Sequence, residues 1–423
     1  MANVLNEILE KVNSVKHTAG FLDVLFRNYK NIVLEGADVV LFGAGALGKE
    51  MLYALNRNGI KPVCFCDNDT QKHGKTIEGL PVISFEELVE QHKSSFIVLS
   101  LTHGSDLITK QLFLHDFELE RVFRKESEPD SKLLAMYSMV GSQSLHQGYK
   151  DSVASGVIIN RLREIADKVQ QAHDSYDDEK SKQLFILKLA VFASDLHFAL
   201  FKQFMMQFSE PVLQFGVLAY QGTPEDYFYF NNDVLQVEEG DIYVDVGAFD
   251  GDSIETFVEA CSNAEVKYQH IYGIEPDPEC FVKLQHNCQK IDNISLHQIG
   301  LWSSTQTLHF EPSSMAIHEQ AGTIIDEGGI KIKALQLDDF LQNKKVTFIK
   351  MDPSCDVEEV MKGALKTLST YKPKLALGIY HSLDEFINIP ILLKKTVPEY
   401  QLFLRHNTYH LCDTDLYGHV YIK

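Results

Sequence analysis

Twice in this chain an apolar, β-branched run ends in a glycine turn and passes straight into a helical pattern. The first unit is Val39-Val40-Leu41-Phe42-Gly43-Ala44-Gly45-Ala46-Leu47-Gly48. The second is Ile242-Tyr243-Val244-Asp245-Val246-Gly247-Ala248-Phe249-Asp250-Gly251-Asp252. A strand that hands over to a helix within a few residues belongs to a parallel sheet, where each crossover needs a dozen or more residues. With 423 residues the chain exceeds one ordinary core, so each unit is expected to build its own sheet.

The flanking patterns support that division. Residues 1–30 read as a helical arm and form a candidate interface for a second copy. In 31–125, strands are expected at 61–67 and 96–100, with a helix at 85–91 between them. Glycine turns then give way to long helical periodicity, so 126–235 is read as a helical connector, its charge run at 174–182 being a solvated turn. Strands and helices alternate again in 236–423, with strands expected at 242–246, 271–275, 294–299, 346–352 and 375–380. The last runs, 402–405 and 417–422, have no helix between them and predict an antiparallel closing pair. The fold class is therefore α/β: two Rossmann-like doubly wound domains joined by a helical connector.

Charge and cysteine usage narrow the partners. A net charge of −20 argues against a nucleic-acid or anionic-membrane surface, which needs clustered Lys and Arg. Small molecules or neutral polymers are the expected substrates. Seven scattered Cys do not make a secreted disulfide framework, and Cys64-Phe65-Cys66 reads as strand packing rather than a metal site. The apolar stretch 185–201 is interrupted by Lys188, Asp195 and His197, so it reads as a buried helix and not a membrane span. With no apolar leader visible, a cytoplasmic location is expected.

The two glycine turns differ in charge. Amides at a helix N-terminus form an anion site, and the first turn holds no acid. Gly43 permits the tight turn and Gly45 the approach of a pyrophosphate to the amides of Ala46 and Leu47. Gly48 permits close helix packing, while Asp67, 22 residues after Gly45, can accept from ribose hydroxyls. NAD and a nucleotide sugar both suit this site. The same glycines also suit a crossover that binds nothing, or one that only docks a partner. Residues 42–83 resemble the N-terminal Rossmann modules of sugar-modifying proteins, sugar acyltransferases among them. In the second turn Asp245, Asp250 and Asp252 would repel a phosphate and favour an ammonium or sulfonium group. S-adenosylmethionine carries both. Glu275, followed by Pro276, ends the next strand, where a carboxylate can bind both ribose hydroxyls. Gly300 and Leu301 follow the third strand on the expected adenine side, with Trp302 next to them.

From Glu225 to Gly418 the chain resembles FkbM-type S-adenosylmethionine-dependent methyltransferases. The resemblance rests on Val244-Asp245-Val246-Gly247-Ala248, Gly273-Ile274-Glu275-Pro276-Asp277-Pro278, Leu337-Asp338-Asp339-Phe340, Ile349-Lys350-Met351-Asp352, Ile379-Tyr380-His381 and Leu404-Arg405-His406. It implies a class I methyltransferase fold and methyl transfer to an oxygen, commonly of a sugar or polyketide-like product, with no metal demanded. It also places the cofactor against Asp245, Gly247, Ala248, Phe249, Asp250, Gly251, Asp252, Glu275, Pro276, Gly300 and Leu301. At strand ends facing the acceptor, Asp352, His381 and Lys350 are the catalytic candidates. The chain departs from the family at Pro353-Ser354-Cys355-Asp356, where two acids are replaced. Either the acceptor differs or turnover is lost, which would leave a cofactor-binding protein. A redox or sugar-modifying enzyme run from the first turn is the remaining alternative.

Overall fold

The computed structural model describes residues 3–18, 36–101, 105–118, 121–123, 157–208, 229–230, 232–312, 322–353, 357–407 and 414–420. The replaced positions Ser354, Cys355 and Asp356, the Glu225 stretch, and much of the arm and connector lie outside them.

The first sheet contains β1 (Val39–Phe42), β2 (Cys64–Cys66), β3 (Thr76–Ile77), β4 (Leu80–Ile83), β5 (Phe96–Leu99) and β6 (Val122–Phe123), in the order β3-β4-β2-β1-β5-β6. Every pairing is parallel except β3 with β4. All four residues of β1 are buried, as a strand covered on both faces requires. The strand order reverses between β1 and β5, and the first glycine turn opens there into helix α1 of this unit (Ala46–Arg57). A Cβ on Gly48 would lie 1.9 Å from Gly43 O, so the helix can approach the turn only with glycine there.

The second sheet contains β7 (Ile242–Val246), β8 (His270–Ile274), β9 (Ile294–His297), β14 (Phe348–Met351), β15 (Lys374–Gly378), β16 (Gln401–His406) and β17 (Thr414–His419), ordered β16-β17-β15-β14-β7-β8-β9. The first five are parallel, and β17 lies antiparallel between β15 and β16. The order reverses between β7 and β14, which brings the second glycine turn beside Asp352. The expected closing pair is present, with the last strand inserted rather than added outside.

One element was not expected from the sequence. Four strands, β10 (Gly300–Leu301), β11 (Gln306–Glu311), β12 (Thr323–Ile325) and β13 (Ile330–Leu335), form a separate sheet in the order β10-β13-β11-β12.

Among the connector helices are α2 (Ala166–Asp174) and α3 (Glu179–Ala193). The apolar stripe Val4, Leu5, Ile8 and Val12 of the N-terminal helix Val4–Ser14 is buried, and the Val4 N–H donates to Gln170 Oε1 of α2. The arm thus spends its apolar face on this chain's own connector. The charge run between α2 and α3 is not simply solvated. Asp178 caps α3 and pairs with Arg405 Nη2 at 2.8 Å, while Asp177 Oδ2 accepts the Leu402 N–H at 2.8 Å. Asp177 N–H in turn donates to Leu402 O, and Ser181 Oγ takes the Leu404 N–H. The connector is therefore seated on β16. Among the described residues no helix is long and apolar enough to cross a membrane.

Candidate functional site

The second glycine turn is fastened at each step. Gly247 has φ +77°, and a Cβ there would meet Asp352 O at 2.7 Å, so only glycine passes the end of β14. The N–H groups of Gly247 and Ala248 both donate to Ile274 O. Phe249 takes φ +46°, costly for a residue with a Cβ, and its N–H donates to Glu275 Oε2 at 2.9 Å. Gly251, with φ +99°, then opens helix α4 (Asp252–Asn263).

Glu275 is thus the partner of the turn from the next strand. It is 7% exposed, and its other oxygen accepts the Asp277 N–H at 2.8 Å. Burial pushes its carboxyl up to about 7, although both amides pull the other way. Each carboxylate oxygen keeps a further acceptor site, so two ribose hydroxyls can be received without breaking either bond. Asp250 is half-buried, and burial with Asp252 beside it pushes its carboxyl up. Asp252 is exposed in the first turn of α4. Asp252 Oδ1 accepts the Ser253 N–H at 2.6 Å.

Asp245 lies deeper than the sequence reading placed it. It is 0% exposed, accepts from Ser253 Oγ at 2.6 Å and faces Lys350 Nζ at 3.2 Å. Lys350 also donates to Gly247 O at 3.1 Å. Burial opposes a buried ammonium, but Asp245, Asp352 and Asp252 together hold Lys350 above the usual lysine value. The pair therefore braces the turn from below: Lys350 fixes a carbonyl of the loop rather than facing an acceptor.

Asp352 closes the other side. Tyr380 Oη donates to its carboxylate, 2.8 Å from both oxygens, and Tyr229 Oη lies 3.4 Å away. A Cβ on Gly378 would sit 2.5 Å from Asp352 Oδ1, so β15 ends in glycine to make room for the carboxylate. His381 Nε2 is 3.4 Å from Asp352 Oδ1, and its Nδ1 is 3.4 Å from Glu385 Oε2. The structure thus brings together the glycine turn, Glu275, Lys350, Asp352 and His381. Pro276 is half-buried beside Glu275, whereas Gly300 and Leu301 form β10 and pack on β13.

Sequence reasoning missed Ser253, Tyr229, Tyr380 and Glu385. Tyr380 lies within the Ile379-Tyr380-His381 motif, whereas Glu385 sits in the first turn of the helix Leu383–Thr396 and its side chain returns to His381, which precedes the helix.

In the first sheet, Asp67 Oδ2 accepts the Ala44 N–H at 2.7 Å and Lys72 Nζ at 2.9 Å, and Oδ1 accepts the Asp69 N–H. Burial raises the carboxyl, but these bonds outweigh it and hold Asp67 below its usual value. The acid expected to receive a ribose is therefore bonded to the glycine turn at Ala44, as Glu275 is at Phe249, and is further engaged by Asp69 and Lys72 of its own loop. Gly45 and Ala46 are exposed, Leu47 is half-buried, and Gly43 has φ +113°.

Comparison with known proteins gives residues 245–411 as a match to the methyltransferase FkbM domain. A methyltransferase FkbM from Methylobacillus flagellatus KT aligns over 98% of this chain and 99% of its own, at 19% identity and a TM-score of 0.62. That likeness is one of fold, and it extends through both halves. A Streptococcus mutans protein solved in complex with SAH covers 46% of this chain and 94% of its own, at 10% identity and a TM-score of 0.30. An rRNA methylase from Streptococcus thermophilus covers 44% and 90%, at 11% identity and a TM-score of 0.29. A search of curated proteins finds no match.

Proposed function

Residues 245–411 match the methyltransferase FkbM domain, and on that similarity we propose that the protein transfers a methyl group from S-adenosylmethionine to a hydroxyl of a saccharide or nucleotide-linked sugar. The observation that carries the reading is Glu275, buried at the tip of β8 and bonded to the amide of Phe249 in the glycine turn. Gly247 supports it, because a side chain there would close the turn against Asp352.

When bound, the cofactor supplies an electrophilic methyl on a sulfonium. The residues of this chain supply placement and a proton acceptor. Glu275 receives the ribose hydroxyls, and Asp250 and Asp252 meet the ammonium end. Asp352, whose side chain is 21% exposed, receives the acceptor's O–H proton. Holding the acceptor oxygen within about 3–3.5 Å of the methyl carbon provides most of the acceleration in such a displacement.

Calorimetry with S-adenosylmethionine and S-adenosylhomocysteine, followed by labelled-methyl transfer over a panel of glycans and nucleotide sugars, tests the reading. Binding lost in Glu275→Ala and methyl incorporation lost in Asp352→Asn are expected. Failure of both adenosyl compounds to bind would sink it.

A further inference from the structure

Lys350 lies in β14 and Asp352 follows it two residues on, so the alternation of the strand sends both side chains to one face of the sheet. An ammonium and a carboxylate so placed attract one another. They do not pair here. Lys350 Nζ goes to Asp245 Oδ1 at 3.2 Å and to Gly247 O at 3.1 Å, and among the described residues Asp245 is its one ion-pair partner. The charge of Asp352 nevertheless acts on Lys350.

Three polar groups surround the Asp352 carboxylate at unequal distances. Tyr380 Oη lies 2.8 Å from both oxygens, an ordinary O–H···O length, whereas Tyr229 Oη and His381 Nε2 stand 3.4 Å away, outside the usual range. One hydroxyl therefore decides the orientation. Gly378 makes the room for it. Met351 pairs with Leu377, which sets Gly378 beside Asp352, and a Cβ there would meet Asp352 Oδ1 at 2.5 Å and Tyr380 Cε1 at 3.0 Å. Tyr380 is 9% exposed and its ring packs on the His381 imidazole, centroids 4.4 Å apart, so the hydroxyl is presented on a fixed ring.

We propose that Tyr380 is the positioning residue of the transfer site: its hydroxyl keeps the Asp352 carboxylate off Lys350 and turned to the acceptor. The inference rests on the methyl-transfer reading above. The backbone of Asp352 is already tied, its N–H donating to Val246 O at 3.0 Å, so only the side-chain torsions remain to be chosen. The Tyr380 oxygen chooses them. Without it the Lys350 ammonium is the strongest attraction left, and the carboxylate swings inward along its own strand. A displacement of about 1 Å at a reacting group costs about a hundredfold in rate.

Tyr380→Phe removes the oxygen and keeps the ring on His381, so the fold is expected to survive. In a crystal structure of that variant, full chain and without acceptor, the Asp352 carboxylate should lie within about 4 Å of Lys350 Nζ. Methyl transfer to the acceptor that the glycan panel yields should lose about a hundredfold in kcat, while KM for S-adenosylmethionine stays, because Glu275 is untouched. Tyr229→Phe removes a longer contact and should leave both the carboxylate and kcat in place. An Asp352 that stays away from Lys350 in Tyr380→Phe, one that turns in Tyr229→Phe instead, or an undiminished kcat in Tyr380→Phe overturns the proposal. The orientation of the carboxylate is read without donor or acceptor, and calorimetry with S-adenosylhomocysteine reads the cofactor assignment, so the two failures are distinguishable.

Discussion

With Glu275 as the proposed ribose carboxylate, adenosyl binding becomes a titration. Burial raises Glu275 from 4.5 to about 7 in the folded protein. That gap corresponds to roughly 3 kcal/mol at about 1.4 kcal/mol per pH unit. Because the folded value is the higher one, the folded protein binds the proton more tightly, and Glu275 makes stability fall as pH rises from 4.5 through about 7. Two ribose hydroxyls donating to the carboxylate favour its charged form, so ligand and proton compete. The affinity for S-adenosylhomocysteine should hold above about pH 7 and fall about tenfold per unit below it. At about pH 6, where roughly nine in ten carboxyls carry the proton, binding should release nearly one proton.

Calorimetry in two buffers of different ionisation enthalpy reads both quantities. Glu275→Gln is the control. Its single amide oxygen can take the Phe249 or the Asp277 N–H but not both, and its NH2 confronts the remaining donor at a cost of about 1–3 kcal/mol. At about pH 8 this cost is partly offset by relief of the buried charge, so the fold should survive while proton release disappears. Affinity that stays flat from about pH 5.5 to 8 in wild type, with no proton released, would refute the reasoning.

Three further outcomes follow from the packing. Gly378→Ala places a Cβ 2.5 Å from Asp352 Oδ1, so urea unfolding should show a loss of about 1–3 kcal/mol and methyl transfer should fall, with adenosyl binding retained. Lys350→Met leaves Asp245 buried and unpaired, expected to cost about 3–5 kcal/mol, and adding Asp245→Asn should recover part of it. Hydrogen bonds and charge from Arg405 overcome the burial of Asp178 and Asp233 and hold both below the usual carboxylate value. The stability these pairs contribute is therefore present at neutral pH and lost as pH falls through the lowered values, and Arg405→Met should flatten that acid limb of the unfolding profile.

The elements read most directly from sequence were those whose signal is local. β7, its glycine turn and Glu275 announce themselves because glycine, acid and strand end lie within a few residues of one another. The closing strands were legible for the same reason. Its insertion between β15 and β16 was not, since nothing local says which neighbour β17 pairs with. The small sheet from Gly300 to Leu335 escaped although β13 alternates as Ile330-Lys331-Ile332-Lys333-Ala334, because its strands pair outside the main sheet and carry no glycine turn into a helix between them. Lys350 looked like a cleft residue from its place at a strand end, but its partner Asp245 is more than a hundred positions away. Glu385 was hidden by its resemblance to an ordinary helix-cap glutamate. Only the fold shows that Val357 and His381 have drawn its carboxylate elsewhere.

The seating of the connector on β16 has a consequence for solubility. β16 is the outermost strand of its sheet, and such a strand offers unpaired amides and carbonyls on which another chain can add. Here Asp177 and Ser181 take the outward N–H groups of Leu402 and Leu404, and the Asp177 amide takes the Leu402 carbonyl. The turn between two connector helices thus imitates a neighbouring strand for two alternate residues. A methyltransferase domain expressed without it would present a bare sheet margin, and its tendency to self-associate would measure how much protection the connector provides.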